Sequence, residues 1–377
     1  MATGSPSRST SPSRPRGPAA FSRIDLRAAL KVRGSAAAAT CALLLASCSA
    51  GPGEDEQGSD SGGEQTQAEG QTHDEDQDPQ VTQDAGSPEP TAESTAEPEP
   101  TVEPEPEPEL ESEAELPGGG DALFPDRRLV ALYGTPGVPE LGALGEQDVE
   151  VAIDRISEKA EAYQEFSEEP VQPAFEIITT VASTEPGARG DFTNELDPET
   201  IRPWVEAAAE AEVYVVLDLQ PGHRDFLAQA QEYEELLSEP HVGLALDPEW
   251  RLQDWQRHGH QVGSVTAEEV NATAGWLAEL TAEEELPQKL FIIHQFTHAM
   301  IQDRENLDTS HDELAMTIHA DGHGSPELKM STWNELQRGL PEGIWMAWKN
   351  FHDEDTPTFT PEETYGLEPQ PWFVSYQ

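Results

Sequence analysis

Val242-Gly243-Leu244-Ala245-Leu246-Asp247-Pro248-Glu249-Trp250 reads as a short apolar strand that delivers two carboxylates and an aromatic at its end. Side chains alternate along a strand, so residues two apart share a face, and Asp247 and Glu249 are expected to leave it in the same direction. Pro248 between them has no amide proton for a ladder, which fits a strand ending there. Two carboxylates held together push each other's pKa values apart, so that one stays ionised while the other carries a proton near neutral pH. The same residues also suit a pair of solvated loop acids, with Asp247 turning the chain into Pro248. In a chain with 74 acidic and 21 basic residues such pairs arise readily, so the surroundings decide.

Seven further apolar runs have the length of strands: Leu129 to Tyr133, Phe175 to Val181, Val213 to Leu219, Leu290 to Gln295, Leu314 to His319, Ile344 to Trp348 and Trp372 to Tyr376. Between most of them the apolar period changes to that of a helix. Asp148 to Phe166 carries Val149, Ile153, Ile156 and Ala160 on one face, and Pro198 to Ala211 opens with Asp197 as a cap. Arg224 to Leu237, Ala267 to Leu280 (capped by Thr266, with Glu269 three residues on) and Lys329 to Arg338 read the same way. Buried strands separated by helices imply a parallel sheet covered on both faces. Eight of them imply an α/β fold of the (β/α)8 barrel type over residues 121–377, in preference to an open doubly wound sheet. No glycine-rich dinucleotide or phosphate loop follows any strand, so no cofactor is expected.

A barrel of this type carries its function on the loops that follow its strands. The strand ends supply Glu176, Asp218, Gln220, the pair Asp247 and Glu249 with Trp250, then His294 and Gln295, His319 and Asp321, Trp348 and Lys349, and finally Tyr376. Asp247, Glu249 and Asp218 are the candidate catalytic acids. Glu176, Gln220, Trp250, His294, Gln295, Asp321, Trp348, Lys349 and Tyr376 are the candidate substrate contacts. Polar groups and tryptophans together suit a pocket that stacks and hydrogen-bonds a sugar. Each residue alone has an ordinary structural role open to it: Asp218 as a helix cap, His294 as a hydrogen-bonded core histidine, Lys349 as a partner for an acid.

The stretch Leu-Asp-Pro-Glu-Trp resembles the Asp-x-Glu signature at the end of strand four in chitinase-like and lysozyme-like barrel glycoside hydrolases. That resemblance implies that Glu249 protonates the leaving oxygen while Asp247 orients the substrate or stabilises the developing cation. The chain departs from the chitinase pattern at Val242 and Ala245, where acids are expected, and from the lysozyme-like group at Tyr133 and Gly134, where an Asp is expected. The wider set of Leu-Asp-Leu-Gln-Pro-Gly, Pro-Gln-Lys-Leu-Phe-Ile-Ile-His-Gln-Phe and Trp-Lys-Asn-Phe-His-Asp-Glu-Asp looks like a group of secreted actinobacterial lipoproteins without an established reaction.

Two other classes of function stay open. His294 and His298, and His319 and His323, are spaced four apart, so His294, His319 and Asp321 form an alternative metal set for a metal-dependent hydrolase. A barrel that binds a glycan without cutting it is the third reading. It gains if no second carboxylate, from Asp218, Asp321 and Glu176, comes within about 5 to 9.5 Å of Glu249.

Upstream, the composition changes twice. Residues 1–47 hold a Ser-, Pro- and Arg-rich lead, then Arg23, Arg27, Lys31 and Arg33 ahead of the apolar run from Ala36 to Leu45. This is the order of a secretory signal, too short to span a bilayer. It ends in Leu45-Ala46-Ser47-Cys48, which resembles a bacterial lipobox and implies a lipid on Cys48. Residues 48–120 have almost no large apolar side chains and include a Glu-Pro run, the composition of an extended disordered tether. The formal net charge of -53 excludes nucleic acid and anionic surfaces as partners. The expected partners are therefore a carbohydrate or cell-wall polymer, and the membrane through the lipid on Cys48, with the chain a monomer on the extracytoplasmic face. Cys41 and Cys48 are the only cysteines, which leaves the barrel segment without disulfide or thiolate chemistry.

Overall fold

The computed structural model describes Met1 and residues 114–377. The signal segment, Cys48 and the tether up to residue 113 lie outside the described residues. Eight strands run parallel around a closed barrel: β1 (Arg128–Gly134), β2 (Val171–Ala182), β3 (Tyr214–Leu219), β4 (Val242–Leu246), β5 (Lys289–Gln295), β6 (Leu314–Ala320), β7 (Trp345–Asn350) and β8 (Phe373–Tyr376). Each pairs with its sequence neighbour, and β1 pairs with both β2 and β8, which closes the ring. The expected (β/α)8 barrel is the observed architecture.

Period two sorts every strand into an inner and an outer set. The outer set, including Val130, Leu132, Val215, Leu217, Leu244, Leu246, Phe291 and Ile293, packs under the helices in the larger core. The inner set, Leu129, Ala131, Ala174, Tyr214, Val216, Ala245, Leu290, Ile292, Ala315, Ala347 and Phe373, fills the lower barrel. Large and small residues face each other there. Gly243 makes room for its neighbours, since a Cβ there would sit 2.5 Å from the Leu290 carbonyl and 2.9 Å from the Tyr214 hydroxyl. The same hydroxyl accepts the Leu290 amide at 3.0 Å.

The N-terminal ends of the strands are sealed by the chain that leads into β1. Leu116, Leu123 and Phe124 pack onto the inner core. Phe124 meets the rings of Trp345 and Trp372 at 5.5 and 5.4 Å, and the Gln288 side chain accepts the Leu123 amide at 3.0 Å. This plug leaves function to the opposite end.

The outer layer contains α1 (Val149–Gln164), α2 (Pro198–Glu210), α3 (Phe226–Ala230), α4 (Glu234–Leu237), α5 (Ala267–Glu283), α6 (Pro326–Leu336) and α7 (Pro361–Tyr365). Asp148, Asp197 and Thr266 cap α1, α2 and α5 as their spacing predicts. Glu269 does not close a box at α5. Its carboxylate instead accepts from Arg251 at 2.8 Å and from the Phe226 amide at 3.2 Å, which ties down the loop after β4.

Two expectations need correction. The helix expected over Arg224 to Leu237 is two short helices joined by a tighter turn at Gln231–Tyr233, where Tyr233 reaches inward to donate to the carbonyls of Thr179 and Leu196. Strand β2 begins at Val171 and not at Phe175, because the half-buried Val171-Gln172-Pro173 pairs with β1 despite its polar and proline content. Between β5 and β6 the chain uses turns and a two-residue strand, Ile301–Gln302, paired with Val265–Thr266. No helix of the described residues is long and apolar enough to cross a membrane.

Candidate active site

Above the apolar layers the inner positions become charged. In chain order they are Tyr133, Glu176, Asp218, Asp247, His294, His319, Asp321, Lys349 and Ser375. All are buried, and Asp321 is the most exposed at 8%. Tyr133, Glu176, Asp218, Asp247, His294, Lys349 and Ser375 each follow an inner apolar residue by two positions, and His319 and Asp321 continue the same register after Ala315 and Thr317, so the strand period that fills the core also aims this group into the barrel axis. Glu249 sits half-buried in the turn Pro248–Trp250 at the rim.

His294 is the hub. Its Nε2 lies 2.9 Å from Glu176 Oε1 and its Nδ1 lies 3.0 Å from Asp321 Oδ2. Both ring nitrogens face carboxylates, the geometry of an imidazolium donating twice. Burial disfavours that charge, but Glu176 and Asp321 outweigh it and hold the pKa well above the ordinary histidine value. The same pairing works in reverse on the acids. Burial opposes the charge of Glu176, yet His294 and His319 bring it well below the carboxylate range. Asp321 is likewise buried and likewise held low, by Lys349 and then His294. The Lys349 ammonium lies 3.2 Å from Asp321 Oδ1 and 3.6 Å from the centre of the Tyr133 ring.

The other two acids behave oppositely. Burial raises Asp218 to about 6, with the charge of Glu176 adding to the effect, and its Oδ2 accepts the Tyr133 hydroxyl at 2.8 Å. Asp247 is raised well above the ordinary value, first by burial and then by the charge of Glu249. His319 stays neutral because burial depresses its pKa, and its Nε2 lies 3.2 Å from Ser375 Oγ, placed to accept that hydroxyl. The layer therefore sorts its charge: ionised Glu176 and Asp321 against cationic His294 and Lys349, with Asp247 holding its proton and Asp218 giving up its own only as pH rises through about 6.

Nine buried side-chain polar atoms among the described residues lack a hydrogen-bond partner, and Glu176 Oε2, Asp218 Oδ1, Asp247 Oδ1 and His319 Nδ1 are four of them. Three of these four are carboxyl oxygens. Glu176 Oε2 only accepts, whereas the protonated Asp247 carboxyl and the His319 Nδ1–H can donate, so a ligand that completes this layer must both give and accept hydrogen bonds, as hydroxyls do.

The structure gathers seven of the candidate residues into this group: Glu176, Asp218, Asp247, Glu249, His294, Asp321 and Lys349. Trp250 lies beside it, ring to ring with His258 at 5.5 Å, its indole N–H buried without a partner. Four candidates do not join. Gln295, Trp348 and Tyr376 sit one position off the inner set and so point outward. Gln295 accepts from Arg304, Trp348 packs on Trp333, and Tyr376 bonds the Tyr163 hydroxyl at 2.6 Å. Gln220 joins the ends of β2 and β3 by accepting the Ala182 amide at 3.1 Å. Tyr133 and Ser375 belong to the group although the sequence reading did not choose them; the strand period marks both.

Among the described residues, two sets of three side chains place one potential ligand atom each within 4.8 Å of one another: Glu176, His294 and His319, and Asp247, Glu249 and Asp321. The combination His294, His319 and Asp321 is thus split between two sets. In the first, both nitrogens of His294 are already committed to carboxylates. Spacing of four does not bring the other histidines in. His298 Nε2 lies 2.8 Å from the Glu335 carbonyl, and the His323 ring packs against Phe351 at 5.6 Å.

No protein-family model matches the chain. No curated protein matches it either. Among solved structures, the chain is similar to the cellobiohydrolase Cel6A from Humicola insolens, with 13% identity over 58% of this chain and 61% of that one, at a TM-score of 0.28. It is also similar to proline utilization A from Bdellovibrio bacteriovorus, with 11% identity over 66% of this chain and 27% of that one, at 0.30. For the catalytic core of Cel6A from Chaetomium thermophilum the values are 12%, 54%, 59% and 0.24. The chain spans less than two thirds of each of these proteins. At such scores the similarities decide nothing, and the barrel rests on its own strand pairing.

Proposed function

We propose that the barrel is a carbohydrate hydrolase that works by carboxylate acid/base chemistry, held outside the cell by a lipid on Cys48 and the tether that follows. The observation that carries this reading is the opposite protonation of Asp247 and Asp321 within one set of acids, whose ligand atoms lie within 4.8 Å of one another. Acids pushed apart in one site are the equipment for proton donation and for nucleophilic or base catalysis. The unpartnered buried polar atoms, acceptors and donors together, support a hydroxyl-bearing substrate such as a sugar.

In this reading Asp247 is the proton donor. The resemblance of the strand-four motif gives that role to Glu249, but burial and the neighbouring charge favour a proton on Asp247, with Glu249 keeping it there. The short separation corresponds to the retaining geometry, about 5 Å, rather than the wider inverting one. The Asp321 carboxylate forms a bond to the anomeric carbon as the glycosidic bond breaks, and the departing oxygen takes the Asp247 proton. Water then attacks the same carbon, returns a proton to Asp247 and releases Asp321. Lys349 and His294 keep Asp321 ionised throughout.

The test incubates the full-length protein with amorphous cellulose, colloidal chitin and peptidoglycan, with and without chelator, and measures new reducing ends. The expected release is insensitive to chelator and falls by about 10²- to 10⁴-fold in Asp247→Asn. Glu249→Gln removes the charge that raises Asp247, so the alkaline limb of the rate profile moves to lower pH. Full activity in Asp247→Asn would overturn the mechanism. Chelator-sensitive release would transfer the chemistry to a metal on the acidic sets, and retention without release would mark a binding barrel.

A further inference from the structure

Eight tryptophans occur in the chain, and all lie within the described residues; seven are buried or half-buried, whereas Trp255 is 79% exposed. A single exposed apolar residue is ordinary on a protein surface. This one differs in where it stands and in how firmly its loop is held. It follows Glu249 and Trp250 on the segment that leaves β4, at the same end of the barrel as the acids.

The loop is pinned on both sides. The Leu252 amide donates to the Gly222 carbonyl at 2.8 Å, the Gly263 amide to the Glu249 carbonyl at 2.7 Å and the Ser264 amide to the Arg251 carbonyl at 3.0 Å. Within it, the Gln253 amide donates to the Gln256 side chain and the Gln256 amide to the Gln253 carbonyl, both at 2.8 Å. Below the tip, His258 stacks toward Trp250, and Arg257 lies 4.8 Å from the centre of the Phe192 ring. Holding the loop in one conformation reduces the entropy that a ligand must overcome to use an indole presented there.

The exposed neighbours are Gln253, Asp254, Arg257 and His260. An exposed indole with polar residues beside it in the chain suits a pyranose, whose apolar C–H face stacks on an aromatic ring while its hydroxyls remain free to hydrogen-bond. The buried acids and the exposed indole cannot be one subsite. A ligand that touches both is longer than a single ring. A chain with a net charge of -53 repels anionic polymers, which leaves uncharged and cationic ones, and stacking of a pyranose C–H face on an indole needs no charge on the sugar.

We infer that Trp255 is a stacking platform for an uncharged polysaccharide chain, holding it outside the acid group while one of its linkages lies at Asp247. The inference rests on the hydrolase reading and names its substrate class: a polymer, not a small glycoside.

The experiment compares full-length wild type with Trp255→Ala and Trp255→Phe, each by sedimentation with amorphous cellulose, colloidal chitin and insoluble mannan, and by turnover of matching nitrophenyl glycosides. On the polymer that wild type retains, Trp255→Ala is expected to bind about tenfold more weakly, with Trp255→Phe in between. Turnover of the small glycoside and the melting temperature stay unchanged. Equal polymer retention by wild type and Trp255→Ala overturns the platform and leaves the hydrolase reading standing. Loss of small-glycoside turnover in parallel with polymer binding also overturns it, by making Trp255 part of the site itself. Polymer retention that depends on Trp255, with no turnover of any substrate by wild type, keeps the platform and removes the hydrolase.

Discussion

Asp218 has its carboxyl raised to about 6 by burial, and this has a thermodynamic consequence separate from the proposed chemistry. An acid whose folded pKa lies above its unfolded value, about 4, binds its proton more tightly in the native state. Its contribution to stability is therefore most favourable below the unfolded pKa and is lost as pH rises through the folded one. Glu176 and Asp321 have the opposite sign: their folded pKa values are lowered, so they stabilise above the unfolded value and stop doing so in acid. Asp218→Asn removes only the first effect, since its amide oxygen still accepts the Tyr133 hydroxyl. Urea unfolding as a function of pH should show the variant matching wild type below pH of about 4 and exceeding it by about 3 kcal/mol above pH of about 6. A constant difference across that window would show that Asp218 is not the proton holder described.

Strand β4 illustrates how much an element reveals before it is folded. Its bounds, Val242–Leu246, match the sequence reading because apolar residues occupy both faces and Pro248 ends the ladder. The other barrel strands were legible for the same reason, and the plug before β1 was not, since Leu116, Leu123 and Phe124 follow no period. Gly243 reads as a weak strand residue, and only the closed barrel explains it, through Leu290 and Tyr214 beside it. Gly243→Ala should cost about 1–3 kcal/mol by overpacking against the Leu290 carbonyl and the Tyr214 hydroxyl, measured by denaturant unfolding, and adding Tyr214→Phe should not rescue it, because that change leaves the Leu290 amide without its acceptor. Strand-end polarity found most of the acid group but could not separate His294 from Gln295 or Lys349 from Trp348. Applying the two-residue period to each strand makes that separation. The link from His294 to Glu176 joins residues 118 apart in the chain, and no local pattern reports it.

For the whole molecule, the lipid proposal places Cys48 as the point of attachment. In cells, Cys48→Ala should shift the protein from the membrane fraction to the soluble extracytoplasmic fraction and abolish incorporation of labelled palmitate. Its activity on soluble substrates should not change, because none of the site residues lies upstream of the barrel. Persistence of the variant in the membrane fraction would remove the anchor. The plug adds a practical consequence. Residues 116–124 enter at the N-terminal ends of the strands, so whatever precedes them joins the barrel at its sealed end. A resin linkage, a fluorescent fusion or a dimerising module grafted ahead of residue 114 would therefore meet the barrel at its base, and an immobilised preparation would present every acid-lined rim to the solution.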